Sequence, residues 1–207
     1  MSRSKTYFRI TPILVVLGVL LLAFPALAQQ KKALLLFKSS EESSAAVSRL
    51  AVNVEPVLKQ LGFTTAYHDV DQGLPPAVDA DLIATWYNSA KIADPEAYVD
   101  WMKAQISSGK KVLILGNFGA HTTDGKTWMT NESLNRFFYP FGLKYGAAYT
   151  GDPAILSITK QELPAKQPVP VNYYLLFESV NPANTVYLEV QRSDLANSKS
   201  ALVVRTP

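Results

Sequence analysis

Apolar residues change their period several times along this 207-residue chain, and each change marks an element. Ala33 to Phe37 is an unbroken apolar run closed by Ser39-Ser40, which predicts a strand buried on both faces. From Ser43 the spacing turns helical: Val47, Leu50, Ala51, Val54, Leu58 and Leu61 recur at three and four residues. Pro56 falls inside that stripe and predicts a kink, or a division with Asn53 as a second N-cap. Gly62 follows as a C′ glycine. Phe63–His68 is shorter and more polar, as an edge strand would be, and Asp69–Asp79 is a loop with Gly73 and Pro75-Pro76. Asp81–Trp86 predicts the next strand. Asp94-Pro95-Glu96 starts a helix with a cap, a proline at its first position and an acid in its first turn. Its apolar face is Tyr98, Trp101, Met102 and Ile106, and Ser107-Ser108-Gly109 ends it. Val112–Leu115 is then a second fully apolar run, expected to be buried on both faces. It stops at Gly116 and enters the turn Asn117-Phe118-Gly119-Ala120 before His121.

Strands alternating with helices predict an α/β fold with a parallel sheet and right-handed crossovers. Thr130 predicts the cap of a third helix over Asn131–Tyr139, with Leu134, Phe137 and Phe138 inward. After Tyr139 no helical period recurs. Leu143–Thr150, Ala154–Ile158, Tyr173–Val180, Thr185–Gln191 and Ala201–Arg205 read as strands, with turns at Gly151-Asp152-Pro153, Pro164–Pro170, Asn181–Asn184 and Asn197-Ser198. The expectation is one domain over 29–207 whose 143–207 part is β-rich, with antiparallel edge strands as one arrangement for it. The chain stops at Pro207 just after a strand, which suggests the front part of a longer protein.

The first 28 residues carry Arg3, Lys5 and Arg9, an apolar run from Ile13 to Phe24, and Ala26-Leu27-Ala28. That pattern predicts a bacterial signal peptide cleaved after Ala28, and hence a periplasmic or secreted protein. The apolar run falls short of the about 20 residues a membrane span needs, so membrane contact is expected only before cleavage. Of 20 basic residues three lie in this segment, which holds no acid, so the remainder has 17 basic against 17 acidic residues. A neutral mature chain gives no footprint for nucleic acid. The absence of cysteine excludes disulfides, a thiolate nucleophile and thiolate metal sites together.

Four stretches carry a family resemblance: Val54–Phe63, Asp79–Ile83, Tyr98–Trp101 with Ser108–Lys110, and Gly116–His121. They resemble the class I glutamine amidotransferase-like superfamily, and within it most closely the trehalose-utilisation-protein-like branch. The resemblance covers about the first half of the mature chain and implies a flavodoxin-like α/β fold: a parallel sheet flanked by helices, with a β-rich C-terminal extension. Catalytic members carry a cysteine in the sharp turn after this strand and a histidine downstream. Here the turn offers Asn117 and Phe118, and no histidine follows His121. Glutamine hydrolysis is therefore not expected.

Other chemistry is equally sparse. No Gly-x-Ser-x-Gly elbow exists, and Thr122 and Thr123 beside His121 read as turn residues. His68, Asp69 and Asp71 could ligate a metal with His121 and Asp124, but in a 2-1-3-4 strand order their strand tips stand about 14 Å apart. No catalytic residue, metal or cofactor is assigned. Asp152 with Glu162, or Asp69 with Asp71, would be candidate glycosidase pairs, with nothing to fix their separation. Asn131-Glu132-Ser133 matches a glycosylation sequon of no weight in a bacterial export context. Trp128, Phe137, Phe138, Tyr139, Phe141, Tyr145 and Tyr149 should mostly form core, and exposed members would mark a glycan or partner surface. The strand tips around the switch point offer Ser39, Ser40, Trp86, Tyr87, Asn88, Asn117, Phe118 and His121 as a ligand-binding set suited to a sugar or other neutral polar molecule. The leading expectation is a non-catalytic exported domain that binds such a ligand or serves envelope polysaccharide handling. The alternatives are a carbohydrate hydrolase using His121 and loop carboxylates, and a structural module of a larger envelope protein; the expected partner is a carbohydrate ligand or an envelope protein.

Overall fold

The computed structural model describes residues 30–150, 155–162 and 173–207. The predicted signal peptide over residues 1–28 and the turns at Gly151-Asp152-Pro153 and Pro164–Pro170 lie outside the described residues. The first half contributes β1 (Lys31–Phe37), β2 (Phe63–Asp69), β3 (Leu82–Tyr87), β4 (Lys91–Ile92), β5 (Lys111–Gly116) and β6 (His121–Thr122). Four of these form a parallel sheet in the order β2-β1-β3-β5, while β4 and β6 pair in parallel as a separate two-residue ribbon. The fold is α/β. Strand succession reverses between β1 and β3, so the crevice above their carboxyl ends is the switch point.

Side chains alternate across the sheet with period two. Leu36, Ile83 and Tyr87 enter one core, under α2 (Pro95–Ser107), while Leu35 and Ala84 enter the other with Leu50, Val54 and Leu58. Asp94 caps α2 by accepting from the Ala97 N–H at 3.0 Å. On the other face, α1 (Glu55–Gln60) starts just before Pro56. Proline has no N–H for the Val52 carbonyl, and its ring would crowd that group. The chain answers by widening Leu50–Val54 into a π-helical turn, in which the Glu55 N–H reaches back to the Leu50 carbonyl. Asn53 is not a cap: its side-chain amide donates to the Arg49 carbonyl at 3.0 Å. The expected stripe is cut accordingly, with Val47 and Leu61 at 59% and 61% exposure.

The second half holds β7 (Leu143–Thr150), β8 (Leu156–Gln161), β9 (Tyr173–Ser179), β10 (Thr185–Arg192) and β11 (Ser200–Arg205). They do not extend the edge of the parallel sheet. Among the described residues, β7 pairs with β9, and β11-β10-β8 form a three-stranded antiparallel sheet. The Ser200 hydroxyl joins the two by accepting from the Phe177 N–H and donating to the Leu175 carbonyl. Helix α3 (Asn131–Phe138), capped by Thr130, packs against β7. Its buried Asn135 gives its amide N–H to the Tyr145 carbonyl at 2.8 Å and takes the Tyr145 N–H at 2.7 Å. Phe118 ties the halves together, lying 5.3 Å from Tyr98, 4.9 Å from Phe137 and 5.2 Å from Phe138 between ring centroids. Phe138 passes the contact on to Phe177 of β9 at 4.8 Å.

One expectation about β5 changes. Val112–Leu115 is not buried on both faces, because β5 is the last strand of the parallel sheet and its apolar side chains are half-buried. Gly116, which ends it, is required by geometry: its φ is +68°, and a methyl group there would lie 2.5 Å from the Tyr87 carbonyl oxygen. The Asn117 N–H donates to that same carbonyl at 2.9 Å. Gly116→Ala is expected to destabilise the protein by about 1–3 kcal/mol, read as a lower midpoint in denaturant unfolding with an unchanged m-value.

Candidate functional site

The carboxyl ends of β1 and β3 carry a polar network that no motif announces. Lys38 continues the face of Leu34 and Leu36 and is only 2% exposed, its ammonium 5.3 Å from the centre of the Tyr87 ring. The chain then turns back, with the Glu41 and Glu42 N–H groups on the Lys38 carbonyl. This places Glu41, whose side chain is 11% exposed, at 2.6 Å from the Lys38 ammonium. Glu41 also accepts the backbone N–H groups of Asn88 at 2.6 Å and Ser89 at 3.0 Å, and the Ser89 hydroxyl at 2.8 Å. Arg49 stands 3.6 Å from Glu41 and 3.7 Å from Glu42, so two cations face two carboxylates. Burial alone would raise the Glu41 carboxyl, but the Lys38 ammonium and the Asn88 and Ser89 donors outweigh it and hold it down at about 2.

Next to it, Asp69 accepts the Ser39 N–H at 3.0 Å and Asp71 the Ser40 N–H at 2.7 Å. Burial would raise the Asp69 carboxyl, but the donors of Ser39 and Asp71 keep it below its ordinary value. The backbone donors that a phosphate or carboxylate ligand would seek at these tips are thus already taken by the protein's own carboxylates.

The eight expected ligand-binding residues do not converge on one pocket. Ser39, Ser40 and Asn88 are exposed, with their N–H groups bound as above. Trp86 and Tyr87 are adjacent on one strand and so enter opposite cores. Tyr87 is buried beside Tyr98, and burial pushes both phenols well above their ordinary range. Phe118 is core. The Asn117 amide donates to the Asn88 carbonyl at 2.8 Å.

His121 is buried, with its Nε2 atom lacking a hydrogen-bond partner among the described residues. Its ring lies 4.1 Å from that of Trp128 at an interplanar angle of 34°. Trp128 is 55% exposed, so the indole is backed by imidazole and open to solvent. The intervening loop is closed by Thr122 N–H to the Thr127 carbonyl, and anchored by the Ala120 and His121 N–H groups on the Ala90 carbonyl. Asp124, the nearest carboxylate in sequence, accepts from the Thr122 hydroxyl at 2.6 Å and the Lys126 N–H at 3.0 Å, which hold it below its ordinary value. A cavity of about 30 Å³ opens beside Trp128, lined by Asn117, Phe118, Phe138, Tyr145 and Phe177.

A larger cleft, about 300 Å³, lies elsewhere, between the β1–β2 face and the Pro75–Ala80 segment. It exists because the β2–β3 connection contains no crossover helix. Its polar lining is engaged: His68 Nε2 is 2.7 Å from the Gly73 carbonyl, the Thr64 hydroxyl donates to the Lys31 carbonyl, and Lys32 pairs with Asp79. Among the described residues no three His, Cys, Asp or Glu side chains gather as a metal site requires. His68 lies on β2 at the edge of the parallel sheet, whereas His121 lies on β6 of the separate β4–β6 ribbon.

Sequence reasoning missed Lys38, Glu41 and Arg49. The available signal was a lysine abutting an all-apolar strand with an acid three residues on.

The sheet order and the site above its carboxyl ends define an α/β domain with its switch point closed by buried charge. Residues 18–189 match the model of a family described as an uncharacterised protein conserved in bacteria (DUF2194), and the chain belongs to that family. No curated protein and no solved structure matches it.

Because Glu41 titrates below the ordinary carboxylate value of 4.5, its contribution to stability is full above about pH 4.5 and is lost as pH falls toward 2. Glu41→Gln is expected to flatten that part of the stability–pH curve. Lys38→Met, which strands buried carboxylate charge, is expected to cost about 3–5 kcal/mol at pH 7, measured by urea unfolding.

Proposed function

We propose that this chain is a non-catalytic, exported carbohydrate-binding domain. Its ligand face is the exposed indole of Trp128, with Asn117 at the rim of the adjoining cavity. The observation that carries this reading is the stacked pair: an indole 55% exposed on one side and held by the buried His121 ring at 4.1 Å on the other. An aromatic face that is rigid and wet suits the C–H face of a sugar ring. The cavity beside it, about 30 Å³, has room for one small substituent such as a hydroxymethyl group. The closed anion donors at the switch point favour a neutral ligand over a phosphorylated one.

The strand order β2-β1-β3-β5 supports a flavodoxin-like arrangement, and with it the likeness to glutamine amidotransferase-like proteins that lack the nucleophile. The leader residues support export to the periplasm or beyond, where envelope polysaccharide is a ligand at hand. The hydrolase alternative draws no support from the site: His121 is stacked and buried, and Asp124 is engaged by Thr122 and Lys126. A structural role among envelope proteins remains the outcome if no glycan binds.

A glycan array followed by calorimetry is expected to find saturable binding of a neutral hexose-containing glycan. Trp128→Ala is expected to weaken it on the order of tenfold or more without changing the unfolding midpoint appreciably. Absence of binding across neutral glycans, or binding indifferent to Trp128→Ala, overturns the reading. N-terminal sequencing of the chain expressed in a bacterium is expected to start at Gln29; an intact Met1 in the mature fraction overturns the export assignment.

A further inference from the structure

Three hydroxyls that belong to no hydrogen bond meet in the core between β3 and α2. Thr85 and Tyr87 stand two apart on β3, so both point to the face that α2 covers. Tyr98 of α2 packs onto that face, its ring 6.2 Å from that of Tyr87 between centroids. Thr85, Tyr87 and Tyr98 are 0%, 1% and 0% exposed, and none of their hydroxyl oxygens has a hydrogen-bond partner among the described residues. They are nevertheless neighbours: burial raises the Tyr98 phenol, and the Tyr87 and Thr85 hydroxyls draw it part of the way back. The residues paired with Thr85 in the sheet, Leu36 and Ile114, bring only aliphatic side chains. Nor is the Tyr98 ring free to seek a partner elsewhere. Gly119 packs on it so closely that a methyl group there would lie 3.0 Å from its Cδ1 atom.

We propose that Thr85, Tyr87 and Tyr98 bind one internal water molecule, which bridges β3 to α2 beneath the switch point. A buried hydroxyl without a partner gives up its hydration and gains nothing for it, so native cores keep few of them and satisfy most with ordered water. The count fits, since a water bound inside a protein typically makes about three hydrogen bonds. A hydroxyl can turn to donate or to accept, so the water can accept from two of the three and donate to the third. The chemistry selects water over a cation. All three groups are neutral, because burial keeps both phenols protonated. The apolar side chains of Leu36, Ile83 and Met102 in the same core would leave an ion's charge unsolvated. A cation also stands close already, the Lys38 ammonium lying 5.3 Å from the centre of the Tyr87 ring. The bridge gives a reason for tyrosine, where phenylalanine would pack as well, at two positions of an otherwise apolar cluster.

A crystal structure at a resolution that shows ordered solvent is expected to place a water within hydrogen-bond distance of at least two of the three oxygens. Oxygen-17 magnetic relaxation dispersion counts long-lived waters in solution. That count is expected to fall by one in the triple variant Thr85→Val/Tyr87→Phe/Tyr98→Phe. Each single variant is expected to lower the urea midpoint with an unchanged m-value. The triple variant is expected to lose less than the three single losses added together, because expelling the water leaves no group unpaired. Hydroxyls bonded directly to one another with no water between them, an unchanged count of long-lived waters, or single variants more stable than the unaltered chain overturn the proposal. If the triple variant fails to fold, the crystal structure of the unaltered chain and the midpoint of Tyr98→Phe decide the matter.

Discussion

The packing of Phe118 is the constraint on which the two halves of the molecule depend. Its ring lies within 5.3 Å of Tyr98, Phe137 and Phe138, one ring from the helix under the parallel sheet and two from the helix that leads into the β-rich part. The residue reaches that position because Gly116 turns the chain sharply under the Tyr87 carbonyl, and because Gly119 lets the backbone pass close to Tyr98. Aromatic pairs at such separations add to the area they bury, so the cluster gains more than a set of aliphatic contacts would. The turn that leaves β5 thus presents a core residue at Phe118.

Electrostatics at the switch point work in the same direction. A crevice above parallel strands normally leaves backbone N–H groups free for an anion. In this protein Glu41, Asp69 and Asp71 accept the donors of four residues there, and Lys38 and Arg49 offset the charge. The tips of three strands are cross-linked by their own side chains. That closure leaves the stacked Trp128, displaced toward the β-rich half, as the open and shaped surface.

Much of this was legible in the sequence, for identifiable reasons. Strands whose ends are set by turn residues were placed within about three positions, and Leu143–Thr150 coincided with β7. Capped helices were equally clear, since Asp94 and Thr130 do locally what their side chains predict. Pro56 was visible as an interruption, but the π turn that absorbs it depends on the Leu50 carbonyl being within reach of residue 55. The candidate site was read less well. Trp86 and Tyr87 were grouped by proximity although a period of two sends them to opposite faces. Lys38 and Glu41 went unnoticed because a buried ion pair is created by a turn in three dimensions, and charged residues beside a strand ordinarily read as solvated. The half-buried state of β5 follows from its rank in the sheet, which apolar content alone does not encode.

Asn135 has a consequence for how the molecule opens. Its amide pairs with both backbone groups of Tyr145, as a neighbouring strand would, at a place where the β7–β9 register shifts. Helix α3 and the start of β7 cannot part without leaving two backbone groups and a side-chain amide unpaired and dry. Hydrogen exchange over residues 131–138 therefore belongs to the cooperative unit of the β-rich half, although in sequence the helix directly follows the loop that presents Trp128.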